Sequence, residues 1–174
     1  VDPRAYAPAA REIAAAGYLV IIPTMPLNLA IFGANEAADV VDAYPEIENW
    51  AIGGHSLGGA MAAQYAGGNT DEVDGLALWA SYPAGSNDLS ESALQVVSIY
   101  GTADGVSDAE RVEAAQSQLP DDTKWVAIEG GNHAQFGWYG PQRGDLAPQI
   151  DHLEQQALAV EATVELLGAI TPGQ

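Results

Sequence analysis

Cysteine is absent from this chain of 174 residues, and lysine occurs only once, as Lys124. The absence of cysteine excludes disulfides, thiolate zinc sites and a cysteine nucleophile, but it does not choose between the cytosol and the cell exterior. No stretch of roughly 18 consecutive apolar residues occurs either, so we expect no membrane span in this segment. The hydrophobic content of 48% is sufficient for the core of one domain, which we expect to cover residues 1–174.

Basic residues are scarce, because 5 Lys+Arg stand against 24 Asp+Glu and the formal net charge is −19. A surface this acidic repels phosphate backbones, so we exclude nucleic acid as a partner. The acidic residues are spread along the chain instead of forming a tail. This pattern is typical of proteins from salt-loving organisms, an interpretation that we favour over an acidic protein from a mesophile.

Strand-like and helix-like segments alternate along the whole chain, which predicts an α/β fold with three α/β/α layers around a mostly parallel sheet. Short apolar runs predict strands at residues 18–23, 50–53, 76–80, 94–100 and 124–128. Caps and helix-ending residues predict helices at 3–17, 34–44, 57–66 and, with Ser107 opening a capping box, 108–119. A last helix is expected to bury Leu153, Ala157, Val160, Val164 and Leu167, before residues 171–174 fray.

The most informative segment runs from Trp50 to Gly59 and places one serine, Ser56, between a predicted strand and a predicted helix. An abrupt strand-to-helix turn forces its central residue into a strained backbone conformation, which Gly54 and Gly58 on either side would permit. The serine hydroxyl would then lie at the start of a helix, where the Leu57 N–H can stabilise a developing oxyanion. We therefore predict that Ser56 is a nucleophile and that Leu57 contributes to an oxyanion hole.

A serine hydroxyl needs a base, and His133 is the preferred candidate because it follows the last predicted strand in a glycine-rich loop. Asp104 follows the preceding strand at the same sheet edge and is the preferred acid to orient that histidine. The competing acids are Asp108, in the first turn of a helix, and then Asp88, in a polar loop.

Three other residues, His55, His152 and Arg143, are predicted to lie outside the catalytic set. His55 lies inside the glycine-flanked turn and is interpreted as a hydrogen-bonding neighbour of the nucleophile, and His152 as a surface residue. Arg143 could hold a substrate carboxylate, but an ion pair with Asp145 or another neighbouring acid is favoured in so acidic a chain.

Three motifs together resemble the α/β-hydrolase family: Gly54-His55-Ser56-Leu57-Gly58, the segment from Val96 to Asp104, and the segment from Glu129 to His133. The resemblance covers essentially the whole chain and is closest to small, lidless hydrolases similar to dienelactone hydrolases. Those enzymes often have a cysteine nucleophile, whereas this chain has a serine. The family fold also has a mid-sheet strand and a glycine-bearing loop with the second oxyanion-hole donor before the first helix, so the resemblance implies an N-terminally incomplete domain that lacks its N-terminal strands.

The resemblance implies a serine esterase that acts on a small acyl substrate through Ser56, His133 and Asp104. An amidase, thioesterase, lactonase or acyltransferase remains open, as does a degenerate hydrolase that serves as a binding module. Aromatic and apolar residues after the strands, together with one glutamine, either line the substrate pocket or close the core: Met25, Leu27, Tyr82, Gln135, Phe136 and Trp138. The short polar segment 81–93 favours an open site and small substrates.

No cofactor motif is evident, and the acidic clusters lack the spacing of a calcium loop, so we expect neither cofactor nor metal. The oligomeric state is not fixed by the sequence. The sequence contains no targeting segment, so the default expectation is the cytoplasm, and a signal or anchor upstream of Val1 stays open.

Overall fold

Four parallel strands form the sheet that organises the molecule. In the computed structural model, which describes residues 1–33 and 36–171, the strands are β1 (Ala51–His55), β2 (Gly75–Trp79), β3 (Gln95–Gly101) and β4 (Lys124–Ile128). They lie side by side in chain order, and each pairs in parallel with the next. The carboxyl ends of all four strands therefore meet at one edge of the sheet, as the alternating pattern predicted.

Helices connect the strands and cover both faces of the sheet. They are α1 (Ala7–Ala15), α2 (Glu36–Ala43), α3 (Leu57–Gly68), α4 (Ala109–Ala114) and α5 (His152–Ile170). Neighbouring residues of one strand point to opposite faces. Ala77 and Trp79 of β2 accordingly pack in one core cluster with α5, whereas Leu76 and Leu78 pack in a second cluster with α3. Two apolar cores on opposite faces confirm the predicted three-layer α/β/α arrangement.

The start of the chain is fixed by a cap that the sequence predicted. The Asp2 carboxylate accepts a hydrogen bond from the Arg4 N–H at 2.9 Å, and a 3₁₀ turn over Pro3–Tyr6 leads directly into α1. The chain leaves α1 through Gly17, which has a φ of 102°. A left-handed residue of this kind ends a helix at little conformational cost only when it is glycine.

The strand predicted at residues 18–23 is wrong, because this segment has no regular secondary structure. Leu19 and Ile22 retain 50% and 39% of their accessible surface. An apolar run becomes a strand only when a neighbour takes up its backbone hydrogen bonds, and within residues 1–33 and 36–171 no strand pairs with it. In the part of the chain that the structure describes, no strand precedes β1.

The predicted buried face of the last helix is only partly correct. Leu153 is 67% exposed and Ala157 is exposed, while the interior stripe of α5 consists of Gln155, Gln156, Ala159, Ala162, Thr163, Leu166 and Ile170. Polar residues occupy this stripe because they have partners inside: Thr163 accepts a hydrogen bond from the Trp79 indole N–H at 3.1 Å. The expected stripe lies beside this face: Leu153, Ala157, Val160 and Val164 line a groove between α5 and α1, and Val160 also packs against the core.

Helix α4 begins one residue later than predicted and is shorter. Asp108, not Ser107, is its N-cap and accepts from the Arg111 N–H, while the Ser107 N–H donates to Asp104. A 3₁₀ turn over Gln116–Gln118 takes the place of the expected last helical turn. The predicted helix start at residue 34 and the predicted fraying at 172–174 lie outside the described residues. None of the helices in the described part of the chain is both long and apolar enough to cross a bilayer.

Candidate active site

The turn between β1 and α3 has the strained geometry that its sequence predicted. Ser56 has φ 55° and ψ −126°, a left-handed conformation that costs a non-glycine residue about 1–3 kcal/mol. Its N–H donates to the Trp79 carbonyl at 3.0 Å, which continues the β1–β2 ladder, and its carbonyl accepts from Gly59 and Ala60 at 3.0 and 3.2 Å. Bonds from both sides hold the strained residue between the strand and the helix.

Glycine is required in this turn at one predicted position and at one that was not predicted. A side chain at Gly54 would overlap the backbone of Gly58, so the strand and helix could not approach each other. A Cβ at Gly58 would meet no atom within 4 Å, so the predicted steric need for glycine there is wrong. Gly59 is the second tight position, because a Cβ there would lie 2.6 Å from the Ser81 side chain.

The predicted acid and base are joined by a buried hydrogen bond. The Asp104 Oδ2 lies 2.8 Å from the His133 Nδ1, and neither side chain has accessible surface. The second carboxylate oxygen, Oδ1, accepts from the N–H groups of Val106 and Ser107, both at 2.7 Å. One oxygen thus fixes the carboxylate to its own loop and leaves the other to orient the imidazole.

The other nitrogen of this imidazole, His133 Nε2, is buried and has no hydrogen-bond partner in residues 1–33 and 36–171. No hydrogen bond joins it to Ser56 in this part of the chain. The His133 ring centroid does lie 4.4 Å from that of His55, the residue directly before Ser56. The structure therefore brings Asp104 and His133 into direct contact and places His133 against the neighbour of Ser56.

His55 is held by a group that the sequence analysis missed. Its Nδ1 lies 2.9 Å from the Tyr6 hydroxyl, and Phe136 and Tyr139 stack near its ring. Burial and the charge of the neighbouring His133 lower the pKa of His55 to about 3, so its imidazole is neutral at ordinary pH. Burial also raises the pKa of Tyr6 to about 12. A neutral imidazole in this place fits the predicted supporting role.

The competing acids are engaged elsewhere. Asp108 caps α4 and lies 3.6 Å from the Arg111 guanidinium, and Asp88 accepts from the Ser90 N–H in an exposed loop, which lowers the pKa of Asp88. His152 is half-buried rather than on the surface, because its ring stacks on Trp138 at a centroid distance of 3.9 Å. Its burial lowers the pKa of His152.

Asp145 connects the loops of the acid and the base, a role that the sequence analysis missed. Its Oδ1 accepts from the N–H groups of Gly105 and His133 at 3.1 and 3.2 Å, and its Oδ2 accepts from Ala134 at 2.8 Å. The predicted ion pair between Arg143 and Asp145 is not among the salt bridges of residues 1–33 and 36–171. Backbone N–H groups bind this carboxylate instead.

A buried glutamine supports the histidine loop from below. The Gln155 side chain is completely buried and bonds the backbone of Asn132 twice, accepting from its N–H at 3.0 Å and donating to its carbonyl at 2.7 Å. The sequence gives no signal for this role, because glutamine on a helix is ordinarily an exposed residue.

The predicted pocket residues differ in their burial and in their surroundings. Phe136 is completely buried against Trp79 and His55, so it belongs to the core. Trp138 is 44% exposed and lines the groove between α1 and α5, and its place in the substrate pocket stays a prediction.

The other four predicted pocket residues lie in or beside loops. Met25 packs its sulfur against Gly33, and Leu27 is 82% exposed. Tyr82 is half-buried beyond β2, and Gln135 is held in the histidine loop by its bond to the Ile150 carbonyl at 3.3 Å. Their role in binding a substrate stays a prediction.

The Leu57 N–H, the predicted oxyanion-hole donor, lies at the first position of α3. Such a group has no intrahelical partner, and no acceptor bonds it within residues 1–33 and 36–171. It is therefore free to bind an anion beside Ser56. The described residues contain no group of three or more His, Cys, Asp or Glu side chains that could hold a metal ion.

Solved structures of hydrolases share this architecture. A predicted CIB-like hydrolase from Thermoplasma acidophilum matches with a TM-score of 0.58 at 20% identity over 79% of this chain, which spans 59% of that protein. An α/β serine hydrolase homologue from Coxiella burnetii gives a TM-score of 0.60 at 16% identity, with 88% of this chain and 74% of that one covered. For a monoacylglycerol lipase from Paleococcus ferrophilus the TM-score is 0.63 at 15% identity, and coverage is 92% and 89%.

Likeness at these identities shows the fold. No curated protein matches the sequence. The sequence model of the alpha/beta hydrolase family, however, matches residues 1–157, which is most of the chain. The chain therefore belongs to the alpha/beta hydrolase family.

Proposed function

We propose that this protein is a serine hydrolase that cleaves a carboxylic ester or a related small acyl compound. The observation that carries the proposal is the buried bond of 2.8 Å between Asp104 and His133, together with the unpartnered Nε2 on the same imidazole. A carboxylate on Nδ1 fixes the tautomer that leaves Nε2 as a proton acceptor. A buried nitrogen without a partner is costly, and the ring of His133 is in addition oriented by a buried carboxylate, which is the arrangement of a general base.

The nucleophile in this proposal is Ser56. A strained turn at the end of a parallel strand exposes a side chain at the sheet edge to which loops bring catalytic groups. His133 would remove the hydroxyl proton as Ser56 attacks the acyl carbon, while the Leu57 N–H stabilises the oxyanion. In structures without substrate, the bond between nucleophile and base is often long, and it shortens in the bound complex.

The acyl-enzyme would be resolved by water. His133 first gives its proton to the leaving alcohol, and then takes a proton from a water molecule that attacks the Ser56 ester. Asp104 stays ionised and stabilises the imidazolium in both steps. As the bond between the acyl carbon and the Ser56 Oγ breaks, His133 gives the proton from water to that Oγ, so the cycle consumes one water and releases one alcohol and one acid.

One observation favours a small substrate, and another favours an ester. Residues 81–93 after β2 form turns and irregular backbone without a helix, so this segment carries no lid helix. Among the structural relatives, the Paleococcus ferrophilus protein is described as a monoacylglycerol lipase, an enzyme that cleaves a carboxylic ester.

Hydrolysis of p-nitrophenyl esters of increasing chain length tests this proposal. We expect turnover that is highest for the acetate or butyrate and is abolished in Ser56→Ala and His133→Ala. His152→Ala is the matched control, because it removes a half-buried imidazole that lies outside the proposed triad, and it should retain activity. Equal activity in Ser56→Ala and wild type would contradict the proposal. Turnover of anilides or thioesters in preference to esters would reassign the leaving group.

A further inference from the structure

Ser81 touches the backbone of the proposed nucleophile from the neighbouring strand. It lies two residues beyond β2, is 3% exposed, and donates its hydroxyl to the Ser56 carbonyl at an Oγ–O distance of 2.6 Å. The residue before it, Ala80, has a φ of 46°, although it is not glycine. Strain of this kind persists only where the surrounding structure determines the conformation. Two strained residues, Ser56 and Ala80, thus stand at adjacent strand ends, and the bond joins Ser56 to the residue that follows Ala80.

The Ser56 carbonyl belongs to the same peptide unit as the Leu57 N–H. A peptide unit is planar, and this chain has no cis bonds in its described residues, so the oxygen and the N–H point in opposite directions. Whatever fixes the oxygen therefore also fixes the direction of the N–H. The oxygen already accepts from Gly59 and Ala60 at 3.0 and 3.2 Å, and the shorter bond from Ser81 is the one that comes from outside the helix.

The bond also changes how strongly the Leu57 N–H donates. Accepting a hydrogen bond at the carbonyl polarises the peptide and makes its N–H a better donor, an effect that is larger in a low-dielectric interior. Packing reinforces the geometry, because Gly59 leaves the space that the Ser81 side chain fills.

We infer that Ser81 is a positioning residue that aims and polarises the Leu57 N–H toward the oxyanion. This inference rests on the proposed function, because it assigns Ser81 a part in stabilising the tetrahedral intermediate formed at Ser56. Ser81 itself touches neither substrate nor the reacting atoms.

Ser81→Ala tests the inference, and Ser92→Ala is its matched control. Ser92 also donates its hydroxyl to a backbone carbonyl, that of Leu89, at 2.7 Å, but in a loop that does not contact Ser56. Loss of a whole oxyanion donor lowers kcat by about 10²–10³, so we expect a misdirected one to lower it by about 10- to 100-fold. KM should change by less than about 3-fold, because the interaction forms in the transition state. Ser92→Ala should leave kcat unchanged.

Binding of an arylboronic acid separates this role from a merely structural one. The tetrahedral boronate adduct at Ser56 places an oxygen in the oxyanion hole, so its Ki should rise in Ser81→Ala in proportion to the loss of kcat. Binding of the carboxylic acid product should not change. A Ser81→Ala variant with kcat and boronate affinity within about 2-fold of wild type would overturn the inference while leaving the proposed function intact.

The Leu57 amide resonance in a ¹H–¹⁵N spectrum tests the role of Ser81 independently of enzyme activity. If the wild-type protein hydrolysed no ester, the proposed function would be refuted, but this measurement would still show whether Ser81 orients the Leu57 peptide. A displaced Leu57 amide proton in Ser81→Ala, but not in Ser92→Ala, supports the alignment of this peptide by Ser81. An unmoved resonance overturns it.

Discussion

Replacement of Asp104 by asparagine should inactivate the protein without unfolding it. The two N–H groups of Val106 and Ser107 both point at Oδ1, so the amide of Asp104→Asn must place its oxygen there. Its NH₂ then lies where Oδ2 was, 2.8 Å from His133 Nδ1, and has to donate to that nitrogen. His133 is thereby forced to carry its proton on Nε2, the atom that would otherwise accept the Ser56 proton.

The expected loss follows from this change of tautomer. A triad with the wrong histidine tautomer loses about 10⁴-fold in kcat, or roughly 5 kcal/mol of transition-state stabilisation. The melting temperature should stay close to that of wild type, because every hydrogen-bonding group in the acid loop keeps a partner. Steady-state hydrolysis of p-nitrophenyl acetate, with circular dichroism to confirm folding, measures both quantities.

Asp108→Asn is the control for this experiment, because Asp108 is the nearest competing acid and caps a helix. It should lower stability by about 1 kcal/mol or less and leave kcat unaltered. If folded Asp104→Asn kept more than a tenth of wild-type activity, the assignment of the acid would be refuted. Loss of activity in Asp108→Asn instead would transfer the role to that residue.

Three further predictions concern the surroundings of the site. Asp145→Ala leaves the N–H groups of His133 and Ala134 without their acceptor, so the histidine loop should shift and kcat should fall by about 10²-fold. The control Asp88→Ala removes an exposed acceptor and should leave kcat unchanged. Equal activity in the two variants would refute a positioning role for Asp145. His55 has a pKa of about 3 in the folded protein, against an ordinary value of 6.5. Below pH 6.5 the unfolded state therefore binds a proton that the folded state does not bind. The free energy of unfolding should fall by up to about 4–5 kcal/mol as the pH drops from 6.5 towards 3. Urea unfolding of wild type and His55→Gln at pH 7 and at acidic pH isolates this contribution, and identical pH dependence in the two proteins would contradict it. The net charge of −19 predicts a melting temperature that rises from dilute buffer to molar salt as repulsion is screened, and a salt-independent melting curve would count against adaptation to high salt.

Four of the five predicted strands and the turn at Ser56 were predictable because they depend on local pattern. The run Lys124–Ile128 forms β4 with the bounds that its composition indicated, and the glycine-flanked Ser56 has the left-handed conformation that a strand-to-helix turn demands. Parallel strands end at one edge, so loop residues that follow them, such as Asp104 and His133, could be paired before their distance was known.

Features that depend on long-range partners were not predictable. Residues 18–23 have the composition of a buried strand, but a strand also needs a neighbour to bond with, which no apolar pattern specifies. The inner face of α5 was misjudged for the same reason: Gln155 is buried because the Asn132 backbone offers it two hydrogen bonds. Helical periodicity alone favours the more apolar stripe.

The sequence did not reveal the roles of Asp145 and Ser81, because their side chains bind backbone groups of other segments and such contacts leave no sequence pattern. Asp145 looked like the partner of a nearby arginine, whereas it bonds N–H groups from two separate loops. Ser81 offered the clearest available signal, since it follows a buried strand at the same edge as Ser56. The rule that placed Asp104 would have placed Ser81 there as well.

Covalent labelling by a fluorophosphonate, mapped by peptide mass spectrometry, tests most directly whether an activated serine exists in this fold. The account predicts a single adduct on the peptide that contains Ser56, formed quickly in wild type, absent in Ser56→Ala and strongly slowed in His133→Ala. A folded protein that remains unlabelled, or one whose label is found on another residue and survives Ser56→Ala, would contradict it.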